Sequence, residues 1–365
     1  MPPSRRVTLK EVARQAGVSY QTVSKLLNGQ VRLLPETEAR IREAVESLGY
    51  RPLYPARSLR SRTSRTLGYS WTPSSPDSPN QILDLLLQSM LSAAEASDYH
   101  LLCFAHHLDL QRELDTYLTL YETRRVDGFI LSSIEYDDPR ILFLLEREIP
   151  FVAFGRSNPG LQFPCIDVDG CEGLSRVVNH FLKLGHRRIA VLAWPESSRV
   201  GNNRLEGYLQ AMRSAGLEPD PLWIQRGEGQ VAFGEEAALR LLNLPPERRP
   251  TAIAALNDLM AIGALRAAQQ SGLRVGWDIA IAGFDDTPAA RYVHPPLTSV
   301  RQPIWQIGQQ LIAMLLNVLN HAYPPSPECI LLAPELIVRA STSPDTSEWF
   351  DPSHRNDEET KNAIA

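Results

Sequence analysis

Gln21, Ser24, Lys25 and Asn28 fall on one side of a short helical pattern, presenting amides, a hydroxyl and a cation. At about 100° per residue, Val23, Leu26 and Leu27 form the opposite, apolar stripe, and Tyr20 lies on its flank at the N-terminal end. Amides and cations are the groups that hydrogen-bond base edges in the major groove, glutamine to adenine and lysine or arginine to guanine. A polar solvated helix face is the plainer explanation for such residues. What surrounds them decides for base reading.

The elements that must position this face are legible nearby. Thr8-Leu9-Lys10-Glu11 is a capping box that opens a first helix with Val12 and Ala13 turned inward. Ala16-Gly17-Val18 makes a turn, Ser19 caps the second helix, and Asn28-Gly29 stops it. A third helix repeats apolar residues at Ile41, Ala44, Val45 and Leu48 and closes at Gly49-Tyr50. Two short helices joined through a Gly-containing turn make a helix-turn-helix. Residues 1–65 hold thirteen Lys/Arg against five Asp/Glu, a net charge of +8 in a chain of net charge −5. A basic head on an acidic body implies that the head alone meets a polyanion.

Composition bounds the rest. At 365 residues the chain exceeds what one hydrophobic core fills. Its 43% hydrophobic and 22% charged residues suit a soluble protein. The start "MPPSRRVTLKEVARQAG" has no apolar signal region, and no run has the length of a membrane span, so a cytoplasmic protein is expected. Cys103, Cys165, Cys171 and Cys329 form no CxxC pair; buried free thiols are expected, with no metal and no cofactor.

The segments "VTLKEVARQAGVSYQTVSKLLNG", "LGYRP" and "ARSLR" resemble the head of the lactose repressor/galactose repressor family, and the likeness runs to about residue 342. It implies that Tyr20, Gln21 and Lys25 read bases and that Thr8, Ser19, Thr22, Asn28 and Thr37 hold the phosphate backbone. It also implies a hinge helix around Ala56-Arg57-Ser58-Leu59, with Leu59 wedged between base steps in the minor groove, where apolar wedges kink DNA. Three positions depart from the family: Leu34 replaces a capping Ser, Glu38 an Arg, and Leu53 an Asn ahead of Pro55.

From residue 66 the pattern alternates short apolar strands ("TLGYSW", "YHLLCFA", "VDGFILSS", "PFVAFG", "CIDVDG", "RRIAVLAW", "AIAAL", "IAIAGFDD") with amphipathic helices. Two such cycles predict two doubly wound lobes with parallel sheets, and the resemblance adds a periplasmic-binding-protein-like arrangement. The expected organisation is a head over 1–50, a hinge over 51–65, a two-lobed core over 66–342 and a disordered tail over 343–365. Lobe one takes about 66–164 plus 303–328, and lobe two about 165–302 plus 329–342.

Ligands bind such sheets beyond the carboxyl ends of the strands and between domains. Asn257-Asp258 and Asp285-Asp286, at strand ends, are therefore candidates, with Arg204 carried by a helix near "SSRVGNNRLEGY", and interleaved donors and acceptors of small net charge suit a polyhydroxylated ligand. Trp71, Trp194 and Phe154 offer stacking faces, although core packing is the commoner use of aromatics. The resemblance implies that Arg204, Asn257 and Asp285 hold an effector sugar, that Gln302 sits at a crossover between lobes, and that Asn80 and Ile82 line the pocket. Gly155-Arg156 stands where the family often has Asp, so the particular sugar does not carry over.

The tail lacks the heptad repeat of a tetramerising helix, so a homodimer reading a near-palindromic duplex is expected. The mechanism implied is linkage: sugar closure separates the hinge helices and withdraws Leu59. A transport binding protein shares the two-lobed body, but no export sequence is present and the head is basic. An enzyme using Asp258, Asp285 or Asp286 lacks a nucleophile or metal cluster, and His106-His107 has no further ligands at metal spacing. The expectation is a non-enzymatic, sugar-responsive transcriptional repressor.

Overall fold

A computed structural model describes residues 7–27, 30–50, 63–71, 80–107, 109–321 and 329–343. Two compact units divide at Arg65/Thr66.

The head is three helices, α1 (Leu9–Ala16), α2 (Tyr20–Leu27) and α3 (Pro35–Leu48). The Thr8–Glu11 capping box forms in both directions: Thr8 N–H donates to Glu11 Oε2 at 2.8 Å, and Glu11 N–H donates to Thr8 Oγ1 at 3.4 Å. Gly17 ends α1 at φ 64°, a left-handed conformation that glycine adopts without cost. Ser19 Oγ accepts from Thr22 N–H at 3.1 Å and so caps α2 as expected. Val12, Ala13, Ala16, Val23, Ile41, Ala44 and Tyr50 form the core of this unit.

In the second unit, β1 (Thr66–Trp71), β2 (His100–Ala105), β3 (Gly128–Leu131), β4 (Phe151–Phe154), β5 (Cys165–Val168) and β11 (Cys329–Leu332) make one sheet in the order β11-β5-β4-β3-β1-β2. A second sheet takes β6 (Ile189–Ala193), β7 (Ile224–Arg226), β8 (Ala252–Ala255), β9 (Ala280–Asp285), β10 (Thr298–Arg301) and β12 (Glu335–Ile337) in the order β12-β10-β9-β8-β6-β7. All pairings are parallel except β10 with β12. Strands such as "IAVLA" and "AIAA" are apolar at every position because helices cover both faces. The covering helices are α4 (Gln81–Ala96), α5 (Leu110–Glu122), α6 (Pro139–Glu146), α7 (Gly170–Lys183), α8 (Arg199–Ser214), α9 (Val231–Leu242), α10 (Asp258–Gln270), α11 (Pro288–Tyr292) and α12 (Ile304–Asn320).

Two expectations are corrected. The sequence places residues 165–168 and 329–332 in lobe two, but they form β5 and β11 and pair within the first sheet, so the chain crosses between lobes just after each of them. The third crossing falls between β10 and α12, around Gln302. The cysteines are not all free: Cys165 and Cys329 form a disulfide, while Cys103 and Cys171 remain thiols. The two bonded residues are register partners on β5 and β11, with Cα atoms 4.4 Å apart. Their separation of 164 residues hid the pairing from any local motif. The short strands β7, β10, β11 and β12 were also not anticipated. The expected hinge around Ala56 and Leu59, and residues 344–365 of the tail, lie outside the described residues.

Candidate functional site

The two units carry separate clusters. In the head, Val23 is fully buried, while Gln21 and Lys25 are exposed and Tyr20 keeps 49% of its surface. These residues stand as the helical period requires. Thr8 and Ser19 cap the N-termini of α1 and α2, where unpaired backbone N–H groups and the helix dipole favour anions. Thr22 Oγ1 lies 2.8 Å from Ser19 Oγ, so the two hydroxyls act together. Thr37 is in the first turn of α3, whose preceding Leu34 makes no side-chain cap and is 76% exposed. Glu38 is neutralised locally: Arg42 donates to it from Nε at 3.0 Å and from Nη2 at 2.6 Å. Asn28 lies outside the described residues, with Ala56 and Leu59.

In the core, helix α8 is started by Ser198, whose Oγ accepts from Gly201 N–H, and it turns Arg204 inward. The Arg204 guanidinium lies 3.7 Å from the Phe284 ring centroid and 5.0 Å from that of Trp194. Its Nη1 donates to Leu256 O and, at 3.4 Å, to Asp285 Oδ1. Gln302 Nε2 donates to the same carboxylate oxygen at 2.6 Å. Burial pushes Asp285 up to about 6, with Arg204 and then Gln302 pulling the other way. Asn257 caps α10 by accepting from Met260 N–H and donates to Gly229 O at 2.8 Å. Arg204, Asp285 and Gln302 are thus joined by hydrogen bonds, and Asn257 follows Leu256, whose carbonyl Arg204 bonds. Among the described residues, Arg204 Nε and Trp194 Nε1 are buried there without hydrogen-bond partners, two donors to which a ligand oxygen is the fitting complement.

Two of the proposed carboxylates do not join them. Asp258 accepts from Ser299 Oγ, Thr287 N–H and Thr287 Oγ1. Asp286 is taken by Arg301 and Arg339. Both are committed to bonds within lobe two. On lobe one, Trp71 ends β1 and meets Tyr69 edge-on at 6.1 Å. Asn80 caps α4 by accepting from Leu83 N–H at 3.2 Å, and Ile82 packs against the lobe-one core. A separate open groove of about 500 Å³, lined by Asp109, Arg112, Asp115 and Thr119 among others, runs along α5 and involves none of these residues.

Sequence reasoning missed a second polar cluster that joins the lobes. Asp167, in β5, accepts from Arg156 Nε at 2.7 Å and from Arg199 Nη1 at 3.0 Å through one oxygen, Oδ2. Glu135 Oε2 accepts from Arg199 N–H at 2.7 Å. Its one sequence signal was Asp167 itself, a charge inside an otherwise apolar strand, which demands a buried partner.

A helix-turn-helix unit followed by a two-lobed core with polar residues converging at its strand ends defines a ligand-controlled DNA-binding regulator. The descriptions "Bacterial regulatory proteins, lacI family" and "Periplasmic binding protein-like domain" match residues 8–52 and 178–342. The chain is 32% identical over 337 residues to the transcriptional repressor PurR of Haemophilus influenzae, covering 92% of this chain and 98% of that one. It is 49% identical to a regulatory protein of the LacI family from Chloroflexus aggregans, with a TM-score of 0.73 over 76% of this chain and 98% of that chain. The lac repressor dimer bound to operator and an anti-inducer aligns at TM-score 0.81 and 27% identity, covering 93% and 100% of the two chains. A complex of the regulator CelR with cellobiose aligns at TM-score 0.68 and 30% identity, covering 92% and 100%. The chain belongs to the lacI family of bacterial regulatory proteins. It is a helix-turn-helix transcriptional repressor with a ligand-binding core. Among the described residues no helix is long and apolar enough to cross a membrane.

Proposed function

We propose that the core binds a neutral, polyhydroxylated small molecule, a sugar, and that this ligand sets the affinity of the head for an operator. The observation that carries the reading is the Arg204, Asn257, Asp285 and Gln302 cluster, with unpaired donors on Arg204 and Trp194 beside it. Interleaved donors and acceptors of near-zero net charge suit ring hydroxyls. The similarity to a regulator in complex with cellobiose supports that ligand class. Trp71, Asn80 and Ile82 supply the lobe-one side of the cleft in this reading.

Tyr20, Gln21 and Lys25 read bases, while Thr8, Ser19, Thr22, Asn28 and Thr37 hold phosphates and Ala56 and Leu59 enter the minor groove. Two copies bind a near-palindrome as a homodimer, a reading supported by the likeness to the lac repressor dimer. The protein works in the cytoplasm and without catalysis, since its relatives are regulators and Asp258 and Asp286 are committed to internal bonds. The coupling between sites is of the usual size, about 1–3 kcal/mol.

The test is fluorescence anisotropy on the duplex upstream of the gene, at fixed salt, titrated with cellobiose, glucose, galactose and maltose. At least one sugar shifts the operator midpoint, and Arg204→Gln abolishes the shift while operator binding persists. A panel without effect on the midpoint, against a wild type that binds the duplex, contradicts the sugar reading.

A further inference from the structure

We infer that Arg199 is a positioning residue of the effector cleft, clasped by Glu135 and Asp167 of lobe one so that the lobes are held together before a ligand arrives. The Arg204 cluster cannot do this. Arg204, Asn257 and Asp285 all belong to lobe two, and Gln302 lies on a crossover, so their mutual bonds survive whether the cleft is open or shut.

The clasp is built differently. Arg199 is the first residue of α8 on lobe two. Its backbone N–H is taken by Glu135, in the segment after β3, and its guanidinium by Asp167, in β5. Both carboxylates belong to lobe one. The first meets the positive end of a sixteen-residue helix, where an anion is favoured. Ser157 Oγ donates to Glu135 O at 2.8 Å, tying the segment after β3 to that after β4. Arg156, in the latter segment, holds Asp167 from the other side and reaches Asn203 of α8 at 3.5 Å. A weaker bond from Asn202 Nδ2 to Tyr136 Oη, at 3.4 Å, runs parallel.

The Arg199 and Asp167 side chains are each 9% exposed, so both charges are desolvated in this arrangement. Separating the lobes removes every bond that Arg199, Asn202 and Asn203 make to lobe one at once and returns the Arg199 guanidinium to water, while Asp167 keeps Arg156. The clasp therefore distinguishes closed from open, which is what a population shift requires. A ligand that binds the closed cleft meets an apparent affinity reduced by whatever fraction of molecules is open. Arg199 thus acts on the ligand through the lobes, without touching it.

The primary test uses the full-length, ligand-free protein and so does not depend on the sugar reading. Amide hydrogen exchange is compared in wild type, Arg199→Gln, Asp167→Asn and Arg199→Lys. Exchange over residues 196–203 rises about tenfold in the first two variants, stays unchanged over 208–214 at the far end of the same helix, and is restored by lysine. Unchanged exchange over 196–203, or a rise spread evenly along α8, overturns the inference. The second readout rests on the proposed function: for every sugar that binds wild type, Arg199→Gln raises Kd by one common factor of about ten and keeps the order of preference. A changed order makes Arg199 a contact residue instead. Should no sugar bind, the exchange result still stands alone.

Discussion

Replacing Gly207 with alanine should damage the ligand site from a distance. Gly207 lies on α8 where that helix crosses α7, and a Cβ built there falls 2.0 Å from Cys171 O and 2.8 Å from its carbonyl carbon. Real Cβ atoms essentially never approach below 3.0 Å. The obstacle is backbone, so no rotamer relieves it, and the helices must part by about 1 Å. Arg204 sits three residues earlier on the same face of α8. Its bond to Asp285 is already 3.4 Å, so a shift of that size breaks it. Overpacking of this kind costs about 1–3 kcal/mol. At about 2 °C per kcal/mol for a core of this size, the melting point falls by about 2–6 °C.

Differential scanning calorimetry of the full chain measures the first effect, and calorimetric titration with the sugar selected from the panel measures the second. Ligand affinity should drop about tenfold or more, since a misplaced guanidinium forfeits a charge-assisted bond. Arg213→Ala, on the exposed outer face of α8, is the control and should melt with wild type. A Gly207→Ala protein that melts with the control and binds sugar with unchanged Kd would refute the packing argument.

Two further outcomes follow from buried groups. The Cys165–Cys329 bond closes a loop with a sequence separation of 164 residues, for which chain-entropy reasoning gives about 5 kcal/mol of stabilisation as an upper figure. Reduction or Cys329→Ser should lower the urea midpoint of the core, and coincident curves with and without dithiothreitol would contradict the pairing. Burial, and next the neighbouring Asp285, push Asp258 up to about 7, against bonds from Ser299 and Thr287. Between its unfolded value of 3.8 and about 7 the folded carboxyl keeps a proton that the unfolded chain has released. Its contribution to stability therefore declines as pH rises through that window and is flat above it. Urea unfolding of wild type minus Asp258→Asn from pH 4 to 8 should show that slope, and a difference independent of pH would remove it.

Much of the head was legible because its determinants are local. The capping box spans four residues, Gly17 marks its own left-handed turn, and the Val23 stripe follows from the helical period alone. The central strands were equally plain, since a parallel strand covered on both faces reads as a short apolar run. The strand-end rule pointed to Asn257 and Asp285, and the family resemblance set Arg204, which lies on a helix, beside them.

What escaped depends on contacts between distant segments. Nothing near Asp258 or Asp286 in sequence announces Ser299, Thr287, Arg301 or Arg339 as their partners, so all strand-end carboxylates looked alike. Strands β5 and β11 carry no mark of which sheet they join, and that assignment hid both the crossing points and the disulfide. The clasp was hidden for the same reason: Glu135, Asp167 and Arg199 meet only once both lobes are folded.

Operator choice depends on whether the outward face of α2 discriminates sequence. Operator anisotropy at one fixed salt concentration, with the upstream palindrome and a scrambled competitor, measures that most directly, because salt alone moves phosphate-driven affinity steeply. Gln21→Ala and Lys25→Ala should each lose about 1–3 kcal/mol of preference for the palindrome, with scrambled binding little changed by the glutamine substitution. If the doubly substituted protein instead folds and still prefers the palindrome as strongly as wild type, these side chains do not read DNA.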